Sequence, residues 1–173
     1  SSVLTYAKNV NKENRDRDTF DTMNVLYPKK DFLINYDMNG GLQSGPYNKP
    51  YGIAYVGELG TLVVNRSGYE IYPEWDGTAK APKCEVKKLE GAKESHNLHV
   101  ANFVDCVKTR NLPSCPPEAG RLAALHAHIP NIAARIGTEQ LIWDDAKRQF
   151  IGNREANELI FPEYREPWTL PKL

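Results

Sequence analysis

The sequence is poor in the residues and spacings that carry self-contained chemistry. Its 173 residues include three cysteines, Cys84, Cys106 and Cys115, with no CxxC pair. An odd count without that spacing fits reduced thiols better than a disulfide framework. Lys and Arg number 22, and Asp and Glu also number 22. This balance, well mixed along the chain, gives no electrostatic footprint for a nucleic-acid or anionic-membrane partner. No apolar run reaches the ~20 residues that span a bilayer. The opening SSVLTYAKNV lacks the basic start, apolar centre and small-residue cleavage site of a signal peptide, and the compartment, cytoplasmic or exported, stays open.

Phosphate and metal motifs are missing as well. The 12 glycines form neither GxGxxG nor GxxxxGK. The pair Gly57 and Gly60 is too short a motif and precedes a strand rather than a helix, so a nucleotide cradle of helix-start amides has no candidate. HExxH and GxSxG are absent. His126 and His128 stand two apart, so on a helix their side chains diverge by about 200° and cannot share one metal. No metal ligands and no catalytic residues are assigned. Asp144-Asp145 reads as a turn whose carboxylates serve the backbone, and Asn65-Arg66-Ser67 matches a glycosylation sequon as a frequent chance match.

What is present is an ordinary soluble composition, 40% hydrophobic and 25% charged, in a chain long enough for one core. Strand patterns fill the first half. SVLTYAKNV is rich in β-branched and aromatic residues, and NKENRDRDTFD after it reads as a loop. TMNVLYP sets Met23, Val25 and Tyr27 on one side, and FLINYDM sets Phe32, Ile34, Tyr36 and Met38 on one side. These two are expected to pair antiparallel. NGGLQSGPYNKP is a long loop, IAYVG a strand, and TLVVNR and YEIYP a hairpin closed at Ser67-Gly68. EWDGTAKAPK is expected to be a loop and CEVKKLE a short strand.

The period then changes from two to 3.6. Residues 95–110 place His96, Val100, Phe103, Val104 and Val107 on one helical stripe with Ser95 as N-cap. A second helix begins near Pro117, carries Leu122, Leu125, Ile129, Ile132 and Ile136 on its stripe, contains Pro130, and stops at Gly137. TEQLIWDDAKRQFIG predicts two extended pieces around a turn, NREANELI a short helix capped by Asn153, and FPEYREPWTLPKL an extended tail. Strands first and helices after give an α+β class: a large, mostly antiparallel, open-faced sheet with helices packed on one face.

Two groups of residues are candidates for ligand contact. His128 shares a helix flank with Arg121, a combination suited to a hydroxylated or anionic ligand. Tyr51 and Tyr55 belong to a set with Tyr47, Tyr69, Tyr72 and Trp75 around the long loop and hairpin. Such polar-tipped aromatics suit sugar rings or a protein partner.

The second half carries a recognisable string. HxxNF at His99 to Phe103, HIPNIAARIG at the end of the second helix, WD at Trp143-Asp144, EAN at Glu155 to Asn157 and the closing YREPW resemble the C-terminal part of Gfo/Idh/MocA-type oxidoreductases. The branch most similar is the one common in Bacteroidetes- and planctomycete-type bacteria. The hairpin GELGTLVVNRSGYEIYP fits the family's entry into a central sheet strand.

The resemblance implies that residues 1–173 form a single C-terminal, substrate-binding and oligomerisation domain. The dinucleotide-binding Rossmann domain, with its glycine fingerprint and catalytic lysine, would lie outside this chain. The implied parent is an NAD- or NADP-dependent oxidoreductase acting on a sugar or polyol derivative, with no cofactor bound by this fragment and no activity from it alone. The implied partners are the missing Rossmann domain and a second copy meeting the open sheet face. An NAD-assisted glycoside hydrolase of the same superfamily and a stand-alone carbohydrate- or protein-binding module are the alternatives.

Overall fold

The computed structural model describes residues 2–10, 18–91, 94–161 and 163–169. The loop expected over NKENRDRDTFD and the end of the aromatic tail fall partly outside these residues. The chain divides into two compact units, Ser1–Gly41 with Pro117–Leu173, and Leu42–Pro116.

The first unit is built on β1 (Ser2–Lys8), β2 (Thr22–Pro28), β3 (Leu33–Asn39), β10 (Gln140–Asp144) and β11 (Gln149–Phe150), in the order β11-β10-β1-β2-β3. Every pairing in it is antiparallel. β2 and β3 pair as expected, with Val25 opposite Tyr36 and Met23 opposite Met38. Strand alternation decides which side is covered. Val3, Met23, Val25, Tyr27, Leu141, Trp143 and Phe150 point to one face and are buried.

Over that face lie α2 (Pro117–Arg135), through Ile129 and Ala133, and α3 (Arg154–Glu158), through Ala156. The opposite face carries Tyr6, Asn24, Asn35, Asp37 and Ile142, all exposed. A sheet with helices on one side is the arrangement the sequence pattern calls for, but the shielding stops short of the edge strand β3, whose Ile34 and Tyr36 lie on the covered side and are exposed. Trp143 and Phe150 meet edge to face, ring centroids 5.0 Å apart, at the floor of this core.

Pro130 sits inside α2. A proline offers no N–H, so the carbonyl four residues earlier, that of His126, loses its helical donor. The Tyr27 hydroxyl donates to that carbonyl from β2. Burial pushes the Tyr27 phenol above its ordinary range, with a smaller contribution from Tyr36. His126 donates from Nδ1 to the Leu122 carbonyl at 2.8 Å, which leaves Nε2 to accept from Lys29 Nζ at 3.3 Å. His126 is therefore committed to structure. At the far end of α2, Gly137 adopts φ +69°, the left-handed conformation of a helix stop.

The family-like pieces in this unit hold backbone. Asn153 caps α3 by accepting from Ala156 N. Asn157 accepts from Phe150 N at 2.7 Å and donates to Phe150 O at 3.0 Å, pairing its amide with the edge strand. Asp144 accepts from Ala146 N and Lys147 N, as a turn carboxylate should.

The second unit contains β4 (Ile53–Val56), β5 (Gly60–Asn65), β6 (Gly68–Pro73) and β9 (Lys88–Glu90), in that spatial order. The expected hairpin is present, Asn65 opposite Gly68 across its turn. Gly68 has φ +129° and a Cβ there would stand 1.9 Å from Leu89 O, so only glycine admits β9 beside the turn. EWDGTAKAPK, expected as a loop, holds a two-residue ladder, β7 (Trp75–Asp76) with β8 (Ala81–Pro82). Asp76 accepts from Thr78 and Ala79 amides at its turn, which lower its carboxyl pKa.

Also in this unit is α1 (Ser95–Thr109), which buries none of its residues, so the expected stripe, His96 included, faces outward. Its N-cap is Glu94, not Ser95, which is already the first helical residue, and among the described residues no side-chain hydrogen bond caps this end. After the helix, Asn102 accepts from the amide and hydroxyl of Ser114 and fastens the following loop.

Candidate functional site

A cavity of about 730 Å³ opens in the first unit beside α2. α2 supplies Arg121, Leu125, His128, Ile132 and Arg135, β10 and β11 supply Trp143 and Phe150, and Leu159 and Ile160 close the side behind α3. The sequence explains the wall. Residues 121, 128 and 135 recur at intervals of seven, close to two helical turns, so they stack along one flank of α2. The apolar stripe next to them turns toward the sheet.

The two helix candidates from the sequence therefore meet in one place. His128 and Arg121 line the same cavity. The tyrosine candidates do not join them there. Tyr51 and Tyr55 lie in the other unit, both more than half exposed. The aromatic set is itself divided by register. Tyr72 shares a sheet face with Thr61 and meets Tyr47 at 5.1 Å, whereas Tyr55 and Tyr69 project from the opposite face with Leu62 and Val64. A strand turns alternate side chains to opposite sides, so closeness in sequence did not make one cluster.

Arg121 is not an open anion receptor. Its Nε donates to Glu118, and its terminal nitrogens reach Glu118 Oε1 at 2.8 Å and Asp145 Oδ1 at 3.0 Å. Hydrogen bonding from Arg121 is the main reason both carboxyl groups sit below their ordinary values, and the Trp143 indole adds to the effect at Asp145. The guanidinium pKa rises in return, chiefly through Glu118. A doubly engaged arginine of this kind braces the mouth of the cavity. His128, by contrast, makes no hydrogen bond among the described residues.

Sequence reasoning missed Arg135, Asn131 and Trp143 as cavity residues, and Asp145 as the partner of Arg121. The seven-residue spacing was a usable signal for Arg135. No local signal marks Asp145, whose tie to Arg121 spans 24 positions.

Among the described residues no group of three or more His, Cys, Asp or Glu side chains could hold a metal, and no helix is long and apolar enough to cross a membrane. Gly57 and Gly60 hydrogen-bond to each other at the entry to β5, and a Cβ on Gly60 would meet Tyr72 O at 2.6 Å, so that close approach serves β6.

The pattern of an oxidoreductase family, C-terminal alpha/beta domain, matches residues 61–170, more than half of the chain. The chain belongs to the Gfo/Idh/MocA oxidoreductase family. Comparison with curated proteins and comparison with solved structures gave no match. Full-length Gfo/Idh/MocA oxidoreductases are generally NAD(P)-dependent. In this Gfo/Idh/MocA domain the matched region takes in the hairpin, both long helices and the His128–Arg121 flank.

Proposed function

We propose that the chain is the substrate-binding and oligomerisation domain of an NAD(P)-dependent oxidoreductase acting on a sugar or polyol derivative. A Rossmann domain of the same protein would hold the nicotinamide cofactor and supply the catalytic lysine, and the fragment alone would be inactive. The observation that carries this reading is the cavity. A family C-terminal domain presents a pocket with His128, which makes no hydrogen bond among the described residues, beside a braced arginine, while Gly57 and Gly60 serve the entry to β5. His128 would contact the ligand as donor or acceptor, and Arg121 would hold the Glu118–Asp145 rim in place. The bare face of the five-stranded sheet would meet a second copy.

Calorimetric titration tests the division of labour. NAD and NADP are titrated against the isolated chain, and against a protein in which a dinucleotide-binding domain precedes it. Binding is expected only in the second case. Tight NAD binding to the isolated chain would overturn the proposal.

A further inference from the structure

The cavity beside α2 has a second property, carried by its chemistry and independent of any cofactor. Its floor and sides are Trp143, Phe150, Leu125, Ile132, Leu159 and Ile160. Its polar groups stand at the mouth, where Asp18, Thr19, His128, Asn131 and Arg135 are exposed. Two further polar groups of its lining are already spent. The Trp143 Nε1–H donates to Asp145 Oδ1 at 3.2 Å, and the Arg121 guanidinium is divided between Glu118 and Asp145.

A polyol in such a pocket would bury several hydroxyl groups against carbon. Each hydroxyl removed from water without a partner is penalised. A ring or chain of carbon pays no such penalty there and gains by leaving water. The volume, about 730 Å³, lies within the range of sites for whole small molecules.

We propose that the cavity takes the apolar part of an amphipathic small molecule, an aromatic or alicyclic ring, with a polar head group at the His128–Arg135 mouth. This rests on reading the cavity as the ligand site and narrows it. If the substrate is a sugar derivative, the cavity holds its apolar substituent rather than the bare sugar.

The test uses the 173-residue chain and the fluorescent probe 8-anilinonaphthalene-1-sulfonate, a ring system bearing one anionic group. A single saturable site with energy transfer from tryptophan is expected, and a large excess of glucose or myo-inositol leaves it occupied. Ala124→Trp, which plugs the mouth from an exposed position, weakens the dye about tenfold or more with circular dichroism and melting unchanged. Asn131→Trp does the same from two turns further along α2, should the first variant fail to fold. Phe103→Ser on the outward-facing stripe of α1 leaves binding as it was.

Absence of a saturable site would overturn the proposal. So would a dye affinity indifferent to both plugs, one lost with Phe103→Ser, or displacement by the polyols. These outcomes are separable from failure of the proposed function: NAD binding to the isolated chain sinks that reading and leaves the dye result standing.

Discussion

Replacing Tyr27 by phenylalanine removes one oxygen and keeps the ring that packs in the core. The hydroxyl it removes is the donor to the His126 carbonyl, which Pro130 has deprived of its helical partner. A hydrogen bond of this kind contributes about 0.5–1.5 kcal/mol net, and leaving a buried acceptor unpaired costs about 1–3 kcal/mol. Tyr27 is 3% exposed, so water has little access to the ring side of the gap, and a loss of about 2 kcal/mol is expected. In urea this moves the midpoint by roughly 1 M at an unchanged slope.

The decisive comparison is with Pro130→Ala, which restores an N–H at position 130. In that background the helix satisfies its own carbonyl, and Tyr27→Phe should cost at least about 0.5 kcal/mol less than in the wild type. Denaturation of the four proteins, followed by circular dichroism, gives the coupling. Additivity to within about 0.3 kcal/mol would refute the claim that tyrosine substitutes for the missing helical amide. A pH arm follows from the same group. Its folded pKa is raised above the ordinary 10.0, so its contribution is full below that value and is lost as pH rises through the folded one. Tyr27→Phe should flatten the alkaline fall in melting temperature.

Gly68→Ala combines φ +129° with a Cβ at 1.9 Å from Leu89 O, and should cost at least about 1–3 kcal/mol and detach β9, read as faster amide exchange at Tyr69 to Ile71. Asn157→Asp keeps the acceptor toward Phe150 N but cannot donate to Phe150 O, so a melting loss equivalent to about 1–3 kcal/mol is expected, and a melt like wild type would count against the pairing. Glu118 and Asp145 are held below their ordinary values, so their pairing with Arg121 contributes fully above those values and fades as pH falls through the lowered ones. Arg121→Met should therefore weaken the acid dependence of melting between about pH 2 and 5, by a small amount because the groups are solvent-screened.

The sequence by itself determined the local elements of this protein. Alternation in TMNVLYP and FLINYDM specified both strands and their pairing, and in the first of them the buried side, Met23, Val25 and Tyr27; the apolar side of the second, Phe32, Ile34 and Tyr36, stays exposed because β3 is the edge strand. The Ser67-Gly68 hairpin, the stop at Gly137 and the Asn153 cap were equally legible, since each depends on the conformation of a few adjacent residues.

Only the tertiary structure decided how these parts share surfaces. The strands form a five-stranded and a four-stranded sheet because β1 finds β10, with Ser2 opposite Ile142, a pairing no short-range pattern encodes. The stripe of α1 was visible as periodicity, but periodicity marks an apolar face without saying whether anything covers it. His128 and Arg121 were legible as a pair on one flank, whereas the commitment of Arg121 to Asp145 and the apolar floor under His128 were not. Local conformational preference acts over a few residues and survives in the sequence. Charge pairing and cavity shape depend on which distant segments arrive, and only the folded chain fixes that.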